Sequence, residues 1–204
     1  MIRTSGFLVA LLSLAYAGVL IAGLATLPTP AHPIQDPWFT LMELLILAIA
    51  PAMVVFLVAL HGCVPAENRP AAFLAVIFIS LCAVVTCCVH FSILVLSRRP
   101  EIAAAEWAPL VFGFSWPSLV YALDILAWDF FFSFAALFAA LALSKDSGHG
   151  LARMLLFGAA LLAFTGLLGV PLENMNVRNI GIVGYVVLFP AATALVARGQ
   201  QGKA

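Results

Sequence analysis

The chain has 204 residues, of which 65% are hydrophobic and only 9% charged, and its formal net charge is zero. An average soluble domain is about 45–50% apolar and about 25% charged, so this composition excludes an ordinary soluble protein. The few basic residues are scattered along the sequence, and nothing in it predicts binding to nucleic acid. Apolar runs of about 18 residues or more recur over nearly the whole length, which predicts a multi-pass α-helical membrane protein.

The six longest apolar runs predict an all-α fold, a bundle of six transmembrane helices that forms a single integral membrane domain over residues 1–204. The first run is nearer to about twenty residues than to the roughly 7–15 of a signal peptide, so we interpret it as a retained span. The predicted segments 1 to 6 cover residues 6–27, 38–61, 70–96, 117–143, 151–170 and 179–196.

Small residues recur along segment 1 at the spacing that lets membrane helices approach closely, as at Ser13, Ala17, Gly18 and Ala22. Such faces predict tight helix contacts within the bundle, and a homo-oligomer would also form through them. The lipid bilayer is the one partner that the composition itself requires.

Prolines and one long link interrupt the helical pattern. Pro51 lies near the middle of segment 2 and Pro190 lies within segment 6, and each is expected to kink its helix and free a backbone carbonyl. The link Pro100–Trp116 mixes acids with aromatic residues and includes the sequence EIAAAEWA. We predict a short helix there, which lies in the membrane interface between helices 3 and 4 and covers one face of the bundle.

Six spans place both termini on the same side of the membrane. With the N-terminus in the cytoplasm, six basic residues lie on the cytoplasmic side and three on the outer side. Since Lys and Arg are more frequent in cytoplasmic loops, we predict that both termini are cytoplasmic. The membrane that we predict for the chain is an inner, cytoplasmic membrane. The cytoplasmic set is Arg3, Arg69, Lys145, Arg153, Arg198 and Lys203, and the outer set is Arg98, Arg99 and Arg178.

Segment 4 carries two carboxylates, Asp124 and Asp129, in a stretch long enough to cross the bilayer. An acid at the centre of a membrane helix costs about 2.5–3.5 kcal/mol on insertion scales, so it needs a partner or a function. Counted at about 1.5 Å per residue from the helix ends, Glu43, His90 and Asp124 lie at one level in the outer half of the bundle. Three helices offer ionisable groups to one layer, which predicts a polar pocket walled by segments 2, 3, 4 and 6 and covered by the long link.

Helical periodicity divides the polar residues of segment 4 between two faces. Tyr121, Asp124 and Trp128 share one face. Asp129 follows Asp124 by five residues, about 140° round an α-helix, so the two acids are not expected to form a pair. Asp129 is expected to stay uncharged near the centre of the bilayer.

The link after segment 5 has the sequence ENMNVRN, and Arg178 or Asn179 within it is expected to reach Asp124. In the functional interpretation Asp124 handles a ligand or a proton. In the structural one it is bonded to Arg178, Tyr121 or a backbone carbonyl and fixes helix packing. Glu43 has a simpler alternative, since it is close enough to the membrane surface to extend to water. The candidate ligand-binding or proton-handling residues are Asp124, Glu43, His90, Tyr121, Trp128, Asp129, Arg178 and Asn179.

Motifs of known enzyme and cofactor sites are missing from the sequence. It has no HExxH, no phosphate-binding loop and no GxSxG. Its four cysteines form no CxxC, and a carboxylate–histidine set drawn from three helices lacks the local spacing of a metal site. We therefore predict no metal and no cofactor, and the residues leave open whether the protein is an enzyme.

The order of the segments, the acid Glu43 early in segment 2 and the stretch YALDILAWDFFF in segment 4 carry a resemblance. With six spans in total, the chain resembles small bacterial integral membrane proteins of unknown function. The resemblance covers most of the chain and implies no activity.

Three functions fit these residues. The first is binding or transport of a small amphipathic or cationic ligand, with Asp124 as counter-ion or proton carrier beside Glu43 and His90. The second is a structural or assembly subunit whose acids pair with a partner helix or an internal arginine. The third is an intramembrane enzyme that acts on a lipid-like substrate with His90 and Asp124 as an acid–base pair. We rank them in this order.

Overall fold

The computed structural model describes residues 1–29, 32–144 and 148–199. Its regular secondary structure in this part of the chain is entirely helical. Six of the helices described are long and apolar enough to cross a membrane, which is the architecture of a multi-pass membrane protein. Spans 1 to 6 are Ile2–Ala25, Trp38–Cys63, Ala66–Leu96, Leu119–Ala142, Gly150–Leu167 and Met175–Gly199.

The spans begin and end near the predicted boundaries, and the largest differences, four residues each, are at the starts of spans 1, 3 and 6. Span 1 already begins at Ile2, where the hydroxyl of Ser5 donates to the carbonyls of Met1 (3.0 Å) and Ile2 (3.2 Å). Span 6 begins at Met175 rather than at residue 179 because Asn174 caps it, accepting a 3.0 Å hydrogen bond from the Asn176 amide. Two residues used to predict the topology, Lys145 and Lys203, lie outside the described residues.

The link between spans 3 and 4 contains two short helices where the sequence predicts one. They are Pro100–Ala103 and Ala108–Phe112, and the backbone turns between them. Pro109 explains the break, since proline has no N–H to donate and is tolerated only in the first turn of a helix.

Consecutive spans pack side by side, and span 6 returns to span 1, so the six helices form a closed ring. The helix Phe189–Gly199 makes the return contact, and within it Thr193 donates its hydroxyl to the carbonyl of Gly6 (3.2 Å). A Cβ on Gly6 would lie 2.7 Å from the Thr193 carbonyl, so only glycine allows this approach. Of the small residues expected to make close contacts, Ser13 is buried whereas Gly18 is exposed.

Phenylalanines and alanines fill the interior of the ring. The ring centroids of Phe132 and Phe189 lie 5.2 Å apart, and those of Phe56 and Phe189 lie 6.3 Å apart. Small side chains let span 4 pack closely between spans 3 and 5. The fully buried alanines of span 4 are Ala127, Ala135, Ala136, Ala139, Ala140 and Ala142.

Two spans contain a stretch of π-helix, Leu126–Phe131 in span 4 and Gly184–Leu188 in span 6. In a π-helix the backbone hydrogen bonds join residues i and i+5, so a turn holds about one residue more than in an α-helix. The second stretch precedes Pro190, which has no N–H for the carbonyl four residues earlier. The discontinuity expected at Pro190 therefore takes the form of a π-stretch. Trp128 and Tyr185 join the two stretches, with ring centroids 4.9 Å apart. Pro51, in contrast, lies within an α-helix that runs unbroken through span 2.

An ion pair joins two links at the end of the bundle where span 1 ends and span 2 begins, which we call the Trp38 end. Arg98 Nη2 lies 3.0 Å from Asp36 Oδ1. The same oxygen accepts hydrogen bonds from the Thr40 hydroxyl (2.6 Å) and the Thr40 amide (3.2 Å). These donors, the Thr40 hydroxyl first and Arg98 in addition, hold the pKa of Asp36 below its ordinary value of 3.8.

Asp36→Asn is expected to lower the melting temperature slightly at neutral pH. The donors stabilise the ionised carboxylate, so the stabilisation is complete well above 3.8 and is lost as the pH falls through the lowered pKa. Because the pair is exposed, its contribution is at most about 1 kcal/mol. Thermal melts of wild type and variant at about pH 7 and about pH 2.5 check this, since the difference should shrink in acid. An undiminished difference at low pH would contradict it.

Candidate functional site

Three of the predicted polar residues meet inside the bundle near its Trp38 end. The ring of His90 lies between two acids, with Nδ1 2.9 Å from Glu43 Oε2 and Nε2 3.5 Å from Asp124 Oδ1. The three residues come from spans 2, 3 and 4, and all are buried. The structure thus brings together the groups that the depth count places at one level. Glu43 does not extend to water, because its carboxylate is buried against His90.

Arg178 pairs with both acids of span 4. Its Nη2 donates to Asp124 Oδ2 at 2.6 Å, and its Nε donates to Asp129 Oδ2 at 3.2 Å. The guanidinium carbon lies 5.0 Å from the centroid of the Tyr121 ring, within cation–π distance. Arg178 is only 4% exposed, and the cap at Asn174 holds it in the first turn of span 6. Of the two residues expected to reach Asp124, Arg178 is the one that bonds to it.

The pairing of Asp129 with Arg178 was not expected from helical periodicity. Five residues of α-helix would turn Asp129 about 140° away from Asp124. The π-stretch Leu126–Phe131 lies between the two acids, and its wider turn carries Asp129 back towards the face of Asp124. One guanidinium therefore serves both carboxylates, and Asp129 has a charged partner rather than an apolar surrounding alone.

Two glycines leave room for the carboxylate of Asp129. A Cβ on Gly181 would lie 2.5 Å from Asp129 Oδ1, and a Cβ on Gly166 would lie 2.8 Å from the same atom. Gly166 belongs to span 5 and Gly181 to span 6, so the backbones of two helices enclose the carboxylate. Oδ1 accepts no hydrogen bond from any residue that the structure describes.

The buried acids outnumber the buried bases. Within the described part of the chain, the buried carboxylic acids and bases comprise three carboxyls, one guanidinium and one imidazole. With three ionised carboxylates, a neutral imidazole and a charged guanidinium, the cluster would carry a net charge of about −2. It therefore needs two added protons, on the carboxylates or the imidazole, to have no net charge. Because burying an uncompensated charge is costly, the cluster favours taking up either protons or a cation. The five residues are Glu43, His90, Asp124, Asp129 and Arg178.

A cavity of about 530 Å³ lies beside this cluster at the Trp38 end. Its volume falls in the range of about 300–1,000 Å³ that is typical of small-molecule sites. Asp129 does not line the cavity, and Asn179 lines it as an exposed residue. The predicted candidates that line it are Glu43, His90, Tyr121, Asp124, Trp128, Arg178 and Asn179.

Span 1 forms a wall of the cavity that the sequence-based prediction did not include. Leu20, Leu24 and Leu27 line this side. Span 1 packs against the Phe189–Gly199 part of span 6, so the cavity occupies the space between span 1 and the earlier part of span 6. The link between spans 3 and 4, expected to cover the pocket, contributes Phe114.

Aromatic residues line the cavity together with the ionisable residues of the cluster. The ring centroid of Phe114 lies 5.4 Å from that of Tyr121 and 5.8 Å from that of His90. Tyr16 and Tyr185 also line the cavity, and sequence analysis missed both because it took its aromatic candidates only from the helical face of Asp124. A phenol inside an apolar span was the available signal, since a buried tyrosine hydroxyl usually finds a polar partner. The six aromatic residues of the cavity are Tyr16, Phe39, Phe114, Tyr121, Trp128 and Tyr185.

The chemistry that this arrangement offers is charge pairing and proton transfer. Among the residues described, no group of three or more His, Cys, Asp or Glu side chains is arranged to hold a metal ion. Of the cysteines, all free thiols, Cys82 is buried within span 3 whereas Cys63 and Cys88 are exposed.

No family model, curated protein or solved structure matches the chain. The function is therefore inferred from the cavity and from the cluster beside it.

Proposed function

We propose that the protein binds a small amphipathic organic cation in this cavity and carries it across the membrane. The observation that carries the proposal is the charge of the cavity wall. Glu43 and Asp124 both face the cavity and belong to a cluster with more acids than bases. A cation that enters the cavity adds positive charge beside a cluster of three carboxyls and only two bases.

The rest of the cavity suits the other parts of such a ligand. Tyr16, Trp128 and Tyr185 present aromatic rings beside the acids, and aromatic rings attract ammonium groups through cation–π interactions. Leu20 and Leu24 of span 1 add an apolar surface to the cavity, which would bury an alkyl chain at about 0.8 kcal/mol per CH₂.

An anionic ligand fits the same wall less well. Arg178 is the one buried guanidinium that the structure describes, and it already pairs with Asp124 and Asp129. An anion would have to displace one of these carboxylates and leave it without its partner, at a cost of about 3–5 kcal/mol for a broken buried pair.

Binding of octyltrimethylammonium to the protein in lipid nanodiscs, measured by isothermal titration calorimetry, tests the proposal. We expect wild type to bind this probe and not octanoate, which has an apolar chain with an anionic head. Asp124→Asn should weaken binding at least about tenfold, or about 1.4 kcal/mol, because it removes one of the two acids on the wall. Asp36→Asn makes the same chemical change outside the cavity and should bind as wild type does.

Two outcomes would contradict the proposal: unchanged affinity in a well-folded Asp124→Asn variant, and equal affinity for octanoate. Transport is tested with the same probe in liposomes, where wild type should move it across the bilayer and Asp124→Asn should not. Probe that enters at the same rate in liposomes without the protein would count against a carrier.

A structural or assembly role is the second candidate, and the pairing of Arg178 with two acids of span 4 favours it. In that case Asp124→Asn should lower the melting temperature and no probe should bind. An intramembrane enzyme is the third candidate, favoured by the position of His90, 2.9 Å from Glu43 and 3.5 Å from Asp124. If the protein turned over a lipid-like substrate and His90→Gln abolished that turnover, the enzyme would become the preferred function.

We also infer that both termini lie in the cytoplasm of a bacterium. The link Pro100–Trp116 then lies at the outer interface of the inner membrane. We further infer that the chain is related to the small six-span bacterial proteins that it resembles. The described basic residues outside the cluster support the orientation, four on the inner side and two on the outer. A green fluorescent protein fused to the C-terminus should fluoresce, and an alkaline phosphatase fused there should be inactive. The reverse result would overturn the orientation. The inner set is Arg3, Arg69, Arg153 and Arg198, and the outer set is Arg98 and Arg99.

A further inference from the structure

Asp129 belongs to the charged cluster but lies where a ligand in the cavity does not reach it. It does not line the cavity, it is 0% exposed, and the backbones at Gly166 and Gly181 enclose it. Its Oδ2 accepts from Arg178, whereas its Oδ1 has no donor among the residues described. An ionised carboxylate with a bare buried oxygen is costly, while the acid form carries a hydrogen and no charge. The arrangement therefore favours a proton on Asp129.

Arg178 donates hydrogen bonds to two different acids from one edge of its guanidinium group. Nε and Nη2 lie on the same edge of a guanidinium, and that edge can bind both oxygens of a single carboxylate. Here Nη2 donates to Asp124 and Nε donates to Asp129. If Asp124 pairs with another cation, Nη2 becomes available to Asp129. The edge can then bind both oxygens of an ionised Asp129, including the one that now has no donor.

We propose that Asp129 is the proton site of a one-for-one exchange, in which a cation that pairs with Asp124 drives the proton off Asp129 through a shift of Arg178. The inference rests on the proposed function, since it needs a cationic ligand. In the exchange the O–H bond of Asp129 breaks, its electron pair stays on the carboxylate oxygen, and the proton passes to water. One positive charge enters and one leaves, so the net charge of the cluster stays constant.

The groups that face Asp129 are compatible with this assignment. Arg178 stays protonated in proteins, and tyrosine and cysteine are uncharged at neutral pH. Span 5 approaches Asp129 with the backbone of Gly166 and contributes no titratable side chain to that contact. Asp124 is the other carboxylic acid near Asp129, and in the proposed exchange it pairs with the cation. The titratable and charged neighbours are Tyr121 and Asp124 from span 4, Arg178 and Tyr185 from span 6, and Cys82 from span 3.

Proton counting during binding tests the exchange. Wild type in nanodiscs is titrated with octyltrimethylammonium in two buffers that differ in ionisation enthalpy, and the difference in heat gives the protons released. We expect about one proton per bound cation, and an affinity that rises by up to about tenfold per pH unit while the site is protonated. Asp129→Asn should bind the probe without releasing a proton and with an affinity that does not depend on pH. Asp36→Asn, a change at an acid that does not line the cavity, should release the proton as wild type does.

A spectroscopic measurement on wild type keeps the inference testable if Asp129→Asn fails to fold. Binding of the probe should remove the infrared carbonyl band of a protonated carboxyl, and Asp129→Glu should shift that band. Binding without proton release would overturn the exchange and leave the proposed function in place. Release that persists in Asp129→Asn would overturn the assignment to Asp129. Failure of wild type to bind the probe would overturn the proposed function and the exchange together.

Discussion

Replacing Arg178 with leucine is expected to lower the free energy of unfolding by about 3–5 kcal/mol, the cost of removing one partner from a buried ion pair. The expectation follows from the two hydrogen bonds at 2.6 and 3.2 Å that Arg178 donates to Asp124 and Asp129. Leucine retains apolar volume but none of the donors, so two buried carboxyls lose their base together. Unfolding by sodium dodecyl sulfate from dodecyl maltoside micelles measures the change.

Removing the acids together with the arginine should restore most of this loss. In Arg178→Leu/Asp124→Asn/Asp129→Asn no buried charge lacks a partner at this position, and uncharged replacements of buried ion pairs are often neutral in stability. Arg99→Leu changes an exposed arginine and should lie within about 0.5 kcal/mol of wild type. If the triple variant were no more stable than Arg178→Leu, unpaired charge would not be the cause of the loss.

Gly181→Ala is expected to cost about 1–3 kcal/mol, the usual penalty for inserting a methyl group into a packed interior. The added Cβ would lie 2.5 Å from Asp129 Oδ1 and 3.4 Å from the Ala163 Cα, so either the carboxylate or a helix has to move. Gly18→Ala is the matched control, because nothing lies within 4 Å of its Cβ position. Alanine is the better helix former by about 1 kcal/mol, so the control should be as stable as wild type or slightly more stable.

The contact between Gly181 and Asp129 can be isolated by a double-mutant cycle. In an Asp129→Ala background the oxygen that meets the new methyl group is gone, so Gly181→Ala should cost at least about 1 kcal/mol less than in wild type. The same denaturation assay gives all four free energies. Additive effects of the two substitutions would show that the methyl group collides with something other than Asp129.

Several features of the site follow directly from the sequence because they depend on distance along a helix. Hydropathy identifies the six spans, since each must cover the thickness of a bilayer. The rise per residue places Glu43, His90 and Asp124 at one level, and their contacts at 2.9 and 3.5 Å agree with that count. The sequence also offers Arg178 or Asn179, at the start of span 6, as a partner of Asp124, and the contact at 2.6 Å is made by Arg178.

Other features depend on rotation and on contacts between distant parts of the chain, which hydropathy does not report. The partner of Asp129 was missed because the calculation assumes an unbroken α-helix, whereas a π-stretch separates it from Asp124. The wall formed by span 1 was missed because it requires the last helix to return to the first. Gly6 and Thr193 make that return contact, and no local pattern relates residues so far apart.

The position of the arginine in the chain sets the order in which the site is made. Arg178 follows Asp124 by 54 residues and Asp129 by 49. Ribosomes add about 5–20 residues per second, so roughly 3–11 s separate the synthesis of Asp124 from that of its base. During that time span 4 waits in the translocon or the lipid without a counter-charge, a state that an ionised acid makes costly by about 2.5–3.5 kcal/mol. Asp124 should therefore enter the membrane in its protonated form, and its ion pair with Arg178 can form only when the last helix arrives.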